Sequence, residues 1–261
     1  MSHVMTGPIG FLGTGTITRA IITGLLADPE FANPIIVAPR NAEIATDLAA
    51  TYPQVTIAED NQAVSNSSEV VFLAVRPQIA SDVIPQIGFR DGQLVISLIA
   101  ATERETLHEW IKSDVELVQA IPLPFVEDRE GVTAIFPRSP RVADLFNRIG
   151  TAVECETRTE YDLLAAASAT MSLYFGLMAR AVDWLEAQGL PEDSGRAYLS
   201  AHFQTLAKVA SRRSDTSLHR LSREYATKGG LNEQVWTDFD QNGGTRALVD
   251  ALDRVLLRIT K

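Results

Sequence analysis

The segment IGFLGTGTITRAIITGLL, residues 9 to 26, narrows the possible folds more than any other in the chain. A short apolar run passes through Gly13-Thr14-Gly15 into a helical pattern, so a buried strand must turn at once into a helix. Gly10, Gly13 and Gly15 supply the glycines of a dinucleotide fingerprint, and Thr18 stands where its third small residue belongs. Such glycines allow the tight turn and let backbone N–H groups approach a pyrophosphate at the helix N-terminus. The same spacing also serves as a plain tight turn. The strand before it, the helix after it and its place at the head of a βαβ unit favour the dinucleotide reading.

Up to about residue 155 the pattern repeats. PIGFLG, PIIVAP, VTIA, VVFLAV, LVISLIA, ELVQAI and VTAIFP read as buried strands, alternating with helical stretches such as NAEIATDLAATY and ERETLHEWIK. This alternation predicts a parallel, doubly wound α/β sheet of the Rossmann type. The second strand decides which dinucleotide. An NAD site places an acid near its end to bind the ribose 2′-hydroxyl, whereas this chain has Ala38, Pro39 and Arg40. A guanidinium in that place suits a 2′-phosphate, so NADP(H) is the expected cofactor. A solvated Arg40 accounts for the arginine but not for the missing acid.

From about Glu160 the strand signal ends, and Ala, Leu, Met and charged residues recur at helical spacing to Lys261. The expected organisation is a dinucleotide-binding domain, residues 1–158, followed by an all-α domain, residues 159–261. Leu163–Ala179 contains no charge over seventeen residues. That is short of the roughly 20 apolar residues of a membrane span, so a helix covered on all sides, within the domain or at a subunit interface, is expected instead. A net charge of −10 argues against nucleic acid or an anionic membrane as the main partner. A single cysteine and four histidines without ligand spacing give no metal site. MSHVMT has neither a basic leader nor an apolar core, so a cytoplasmic location is expected.

Several segments together resemble the pyrroline-5-carboxylate reductases, nearly end to end. VFLAVRPQ is similar to that family's Leu-Ala-Val-Lys-Pro-Gln segment, with Arg76 for lysine. VISLIAA, EGVTAIFP and DFDQNGGTRALVDAL match its later strands and final helices, and TKGGLN stands where it has a Pro-Gly-Gly-Thr-Thr loop. The resemblance implies hydride transfer from a nicotinamide to the C=N of a small cyclic imine carboxylate. It also implies an intertwined helical homodimer, with each active site between one subunit's sheet and the other's helices. The cofactor set it implies is Gly13, Thr14, Gly15, Thr16, Ile17, Arg40, Asn61, Val75, Arg76, Pro77 and Ala100. The N–H groups of Gly229 and Gly230 would hold the substrate carboxylate, and Asn232 would face the imine nitrogen as the catalytic residue.

The departures fall on the substrate side. Leu231 and Asn232 replace two threonines, and Leu123 replaces the asparagine that follows the sixth strand. SATMSLY keeps only Ser168 and Tyr174 of a small-residue run, and Arg180 replaces a glutamate. Leu123, Gly229, Gly230, Leu231 and Asn232 are thus the expected substrate residues. A protonated iminium is already electrophilic and needs orientation more than an acid. A hydroxyacid dehydrogenase needs a base, and Lys208 lacks the asparagine one turn before it, where Gln204 stands. Three readings remain: a proline-forming reductase, a related imine or carbonyl reductase with a rebuilt pocket, and a non-catalytic NADPH-binding protein.

Overall fold

The computed structural model describes residues 5–260. His3, most of the leader and Lys261 lie outside them. The chain divides into two compact units. One runs as far as Ala166 and takes in Leu256 onward, and the other is Ala167–Val255.

The first unit is built on an eight-stranded sheet of order β3-β2-β1-β4-β5-β6-β7-β8. Its strands are β1 (Ile9–Leu12), β2 (Ile35–Val37), β3 (Val55–Ile57), β4 (Val70–Leu73), β5 (Leu94–Ser97), β6 (Glu116–Pro122), β7 (Gly131–Phe136) and β8 (Gly150–Glu154). The helices between them are α1 (Thr16–Leu26), α2 (Ala42–Thr51), α3 (Asn61–Ser67), α4 (Pro77–Val83), α5 (Arg104–Ile111) and α6 (Pro140–Asn147). The apolar runs are buried on both faces. Ile9, Phe11, Phe72 and Ile96 meet α1, α2 and α6 through Ile21, Leu25, Leu48 and Phe146. Leu12, Val71, Leu73 and Val95 meet α3, α4 and α5 through Val64, Ala80, Leu107 and Ile111. Phe11 and Phe72 stack across neighbouring strands with ring centroids 4.6 Å apart.

Two features differ from the sequence expectation. The sheet is not wholly parallel, because β6 and β7 run antiparallel. Only Leu123–Glu130 joins them, mostly as a 3-10 turn, and a parallel return needs a crossover of about a dozen residues or more. The eighth strand was not anticipated, because GTAVE is an edge strand whose residues are alternately exposed. Gly150, at φ +146°, allows its start to lie against Gly131: a Cβ there would come within 1.9 Å of the Gly131 carbonyl oxygen.

The second unit comprises α8 (Met171–Ala187), α9 (Glu192–Arg212), α10 (Leu218–Tyr225), α11 (Leu231–Gln241) and most of α12 (Gly244–Ile259). It is entered from α7 (Arg158–Ser168), which stays with the sheet as far as Ala166. The uncharged stretch is therefore not one helix. It breaks at Ala169–Thr170, where the Thr170 hydroxyl and N–H both donate to the Ala167 carbonyl, an alternative to helical pairing that threonine offers. Nor is it covered within the chain. Leu163, Leu173, Tyr174, Phe175 and Leu177 are exposed, Phe175 by 60%. By length and hydropathy Arg158–Ala187 would suit a membrane span, but this turn interrupts it.

Candidate active site

β1 lies between β2 and β4, so the connections leave it in opposite directions and a crevice opens at the carboxyl ends of the strands. A cleft of about 440 Å³ lies there, lined by Gly13, Thr14, Gly15, Arg40, Asn41, Ala42, Asn61, Ala74, Val75, Arg76, Ile79 and Val83. Gly13 adopts φ +103°, and a Cβ on it would lie 2.5 Å from the Ala74 carbonyl oxygen, so only glycine makes this turn. Gly15 is the N-cap of α1 and has open space where a side chain would be. The first turn of α1 carries neither a capping side chain nor an acid, which leaves its N–H groups and positive dipole end for an anion.

The neighbouring side chains explain two oddities of the fingerprint. Thr18 is fully buried, and its hydroxyl donates to the Gly13 carbonyl at 2.7 Å, so the larger residue braces the turn from behind. Thr14 donates to the Ala38 carbonyl at 2.6 Å, which fixes the turn to the end of β2 and leaves its backbone facing the cleft. Gly10 has a packing role: a Cβ would collide with Val64 and Ser68 of the α3 segment.

Arg40 and Arg76 stand on the cleft wall after β2 and β4, both exposed. Neither has an acidic partner within ion-pair distance among the described residues, whereas nine other arginines do. Asn61 opens α3, which Asp60 caps by accepting from the Ala63 N–H at 2.7 Å. Of the expected cofactor residues, Thr16 and Ile17 in the first turn of α1, Pro77 at the first turn of α4, and Ala100 after β5 stand outside this wall. Asn41, Ala42, Ala74, Ile79 and Val83 line it without having been anticipated. Their place follows from β1 lying between β2 and β4 in the sheet, which no local motif encodes.

A larger hollow of about 650 Å³ opens beside Asp28, Arg129, Arg141 and Arg148. Three of its charged groups are already paired. Arg148 meets Asp28 at 2.6 Å, and Arg141 reaches both Glu69 and Glu116. Burial pushes the Asp28 carboxyl up, but the hydrogen bonds from Arg148 and the Glu30 N–H, with the nearby guanidinium charges, hold it below its ordinary value. Cys155 is buried, which pushes its thiol up and keeps it protonated.

In the helical unit the glycine turn has a definite geometry. Gly229 adopts φ +72°, and Gly230 is the N-cap of α11. The expected N–H pair is engaged within the chain: Gly229 donates to the Glu233 carboxylate at 2.6 Å and Gly230 to the Thr227 carbonyl at 2.8 Å. Glu233 sits three residues after the N-cap and reaches back over the turn, the spacing of a capping box, and that spacing was the signal in GLNE that could have revealed it. Asn232 donates its amide to the Tyr225 carbonyl at 2.9 Å, which ties α11 to α10 and leaves Oδ1 as an acceptor. Leu231 is 81% exposed.

A family model described as NADP oxidoreductase coenzyme F420-dependent matches residues 8–101, the span from β1 through β5. A pyrroline-5-carboxylate reductase of Haemophilus influenzae is 28% identical over 96% of this chain and 95% of its own. A solved 1-pyrroline-5-carboxylate reductase from Streptococcus pyogenes superposes with a TM-score of 0.85 at 20% identity, covering 97% of each chain. Pyrroline carboxylate reductase from Plasmodium falciparum, solved with NADP bound, gives a TM-score of 0.81 at 17% identity over 99% and 98% of the two chains. Nearly end to end, the chain is similar to pyrroline-5-carboxylate reductases.

Against that family, the substrate-side departures have clear places. Leu123 follows the carboxyl end of β6, and Val126 donates its N–H to the Leu123 carbonyl. Arg180, on α8, is exposed and pairs only loosely with Asp183 at 3.5 Å. Tyr174 packs edge-on against Phe175 and Phe203.

Proposed function

We propose that this chain is an NADPH-dependent reductase that passes hydride to the C=N carbon of a small cyclic imine carboxylate, with pyrroline-5-carboxylate giving proline. The observation that carries this reading is Arg40, without an acidic partner, beside the bare helix N-terminus at Gly13–Gly15, in a chain that aligns end to end with pyrroline-5-carboxylate reductases. The residues fit the dinucleotide: the α1 N–H groups suit its pyrophosphate and Arg40 its 2′-phosphate. Bound there, the cofactor supplies the hydride.

The remaining work is orientation. A cationic iminium needs no proton donor during hydride addition, and Asn232 Oδ1 is a neutral acceptor suited to its N–H. The substrate carboxylate takes the Gly229 N–H that Glu233 otherwise holds. A second reading, a reductase of another imine with a rebuilt pocket, is favoured by Glu233 itself, because an acid on that turn disfavours an anionic substrate. NADPH oxidation with a panel of cyclic imines, with and without a carboxylate, tests both. Preference for the carboxylated imine supports the first reading and turnover of carboxylate-free imines alone supports the second. Oxidation with none of them overturns both and leaves a binding protein.

We also propose a homodimer in the cytoplasm. Leu173, Leu177 and Trp184 lie on one face of α8 and Phe175 on another, all exposed, and α11 and α12 bury no residue within the chain. Apolar surface of this extent marks an interface, and a second copy supplies matching cover. Sedimentation at low micromolar concentration should show no folded monomer.

A further inference from the structure

We propose that Arg158 is a positioning residue for the nicotinamide end of the cofactor, acting through the loop that follows β5. This rests on the NADPH reading above. β2, β1, β4 and β5 are adjacent and parallel, so their carboxyl ends lie side by side. A dinucleotide held by its 2′-phosphate at Arg40 and its pyrophosphate at Gly13–Gly15 runs on past Val75 and Arg76 toward the end of β5. The backbone it meets there is Leu98–Glu103.

That loop is under strain. Ala101 adopts φ +51°, a left-handed conformation that an L-residue holds only where its neighbours impose it. On the β5 side the Leu98 N–H bonds to the Leu73 carbonyl. On the far side the loop is held by side chains. Gln119, on β6 and 2% exposed, donates to the Thr102 carbonyl at 2.9 Å. Arg158, at the start of α7, reaches Glu103 at 3.2 Å, the same Gln119 through Oε1 at 3.5 Å, and Asp162 at 2.7 Å. The Tyr161 ring lies 5.9 Å below its guanidinium carbon. One guanidinium thus joins the loop, β6 and α7, and Asp162, almost wholly buried, keeps it in place. Nothing in the capture of phosphate depends on this network. Its effect falls on where the loop presents its backbone to the reacting end of the cofactor.

The test uses the full chain with NADPH. Arg158→Ala leaves Asp162 buried without its counter-charge and endangers the fold, so Glu103→Ala is the primary variant, because Glu103 is half exposed. Glu103→Ala should lower kcat about tenfold, the scale of a small misplacement of reacting groups, with the Kd for NADPH unchanged. Glu103→Gln, which keeps an acceptor for Arg158, should recover most of the loss. The nicotinamide fluorescence of bound NADPH should shift in Glu103→Ala and return in Glu103→Gln. Unchanged kcat and emission in Glu103→Ala, or a loss of NADPH affinity in step with kcat, would overturn the assignment. If wild type reduces no imine, the reading of function fails, and the emission of bound NADPH still decides the role of Arg158: no change in any variant rejects it.

Discussion

Replacing Glu233 by glutamine removes one charge from the glycine turn and little else. In the structure Glu233 Oε2 accepts from the Gly229 N–H at 2.6 Å, and a glutamine carbonyl can accept from the same donor. A substrate carboxylate bound at this turn lies within a few ångströms of the Glu233 carboxylate. Two unit charges ~4 Å apart repel by ~1 kcal/mol in water and ~4 kcal/mol at an effective dielectric of ~20. Because the turn is largely exposed in this chain, the lower figure applies, and it corresponds to about a fivefold change in affinity. Glu233→Gln should therefore lower KM for pyrroline-5-carboxylate about fivefold. KM for a carboxylate-free cyclic imine and the Kd for NADPH should stay unchanged. Exchanging a charge-assisted hydrogen bond for a neutral one should also cost about 1 kcal/mol of stability. Steady-state loss of NADPH absorbance with the two imines in parallel measures the ratio. If both KM values move together, or neither moves, Glu233 does not face the substrate and the argument fails.

Arg40→Ala should weaken NADPH binding by about one to two decades, the value of a charge-assisted phosphate contact, with NADH use nearly unchanged. Equal losses for the two cofactors would remove the 2′-phosphate assignment. Ala101→Gly relieves a left-handed alanine costing about 1–2 kcal/mol against a glycine entropy cost of about 0.5–1 kcal/mol, so urea unfolding should show a gain of about 0.5–1 kcal/mol. A loss would mean that Ala101 does not hold φ +51° in solution. His108 is lowered below its ordinary value near 6.5 by burial and by Arg104, whose guanidinium donates to its ring. The unfolded state therefore binds the proton first, so stability should be full above pH ~6.5 and fall as pH drops below it, a slope that His108→Gln should flatten. Asn232→Thr removes the tie to Tyr225 and restores a hydroxyl. It should keep turnover of pyrroline-5-carboxylate under the first reading and reduce turnover of the native imine under the second, as kcat/KM on both imines would show.

The sheet was largely legible because its strands are buried on both faces, which leaves unbroken apolar runs such as VVFL and LVIS. β8 was hidden by its place at the edge, where half its residues meet solvent. The break at Ala169–Thr170 was hidden because alanine, serine and threonine carry no punctuation of their own, and only the hydroxyl bond to Ala167 reveals it. Gly13, Gly15 and Arg40 could be found from local spacing, since each acts where the chain itself places it. The Arg158 network could not. Arg158 and Asp162 are an i, i+4 pair on α7, but Glu103 and Gln119 join them only through sheet order and the return of α7, and nothing in the segments around those two signals that meeting.

The cofactor cleft and the proposed substrate turn also differ in what they are made of. The cofactor cleft is formed mainly by backbone: the φ of Gly13, the open face at Gly15 and the first turn of α1, braced from behind by Thr14 and Thr18. Backbone geometry survives wide sequence change as long as the glycines and the strand spacing persist, which agrees with a TM-score of 0.85 at 20% identity. The proposed substrate turn depends on side chains from the first turn of α11, where Glu233 takes up the Gly229 N–H and Asn232 the Tyr225 carbonyl. One substitution there changes both charge and hydrogen bonding, with no cost to the fold of the sheet. Divergence along this chain therefore bears on which imine is reduced before it bears on which cofactor reduces it, and Glu233 and Asn232 are where we propose that choice is made.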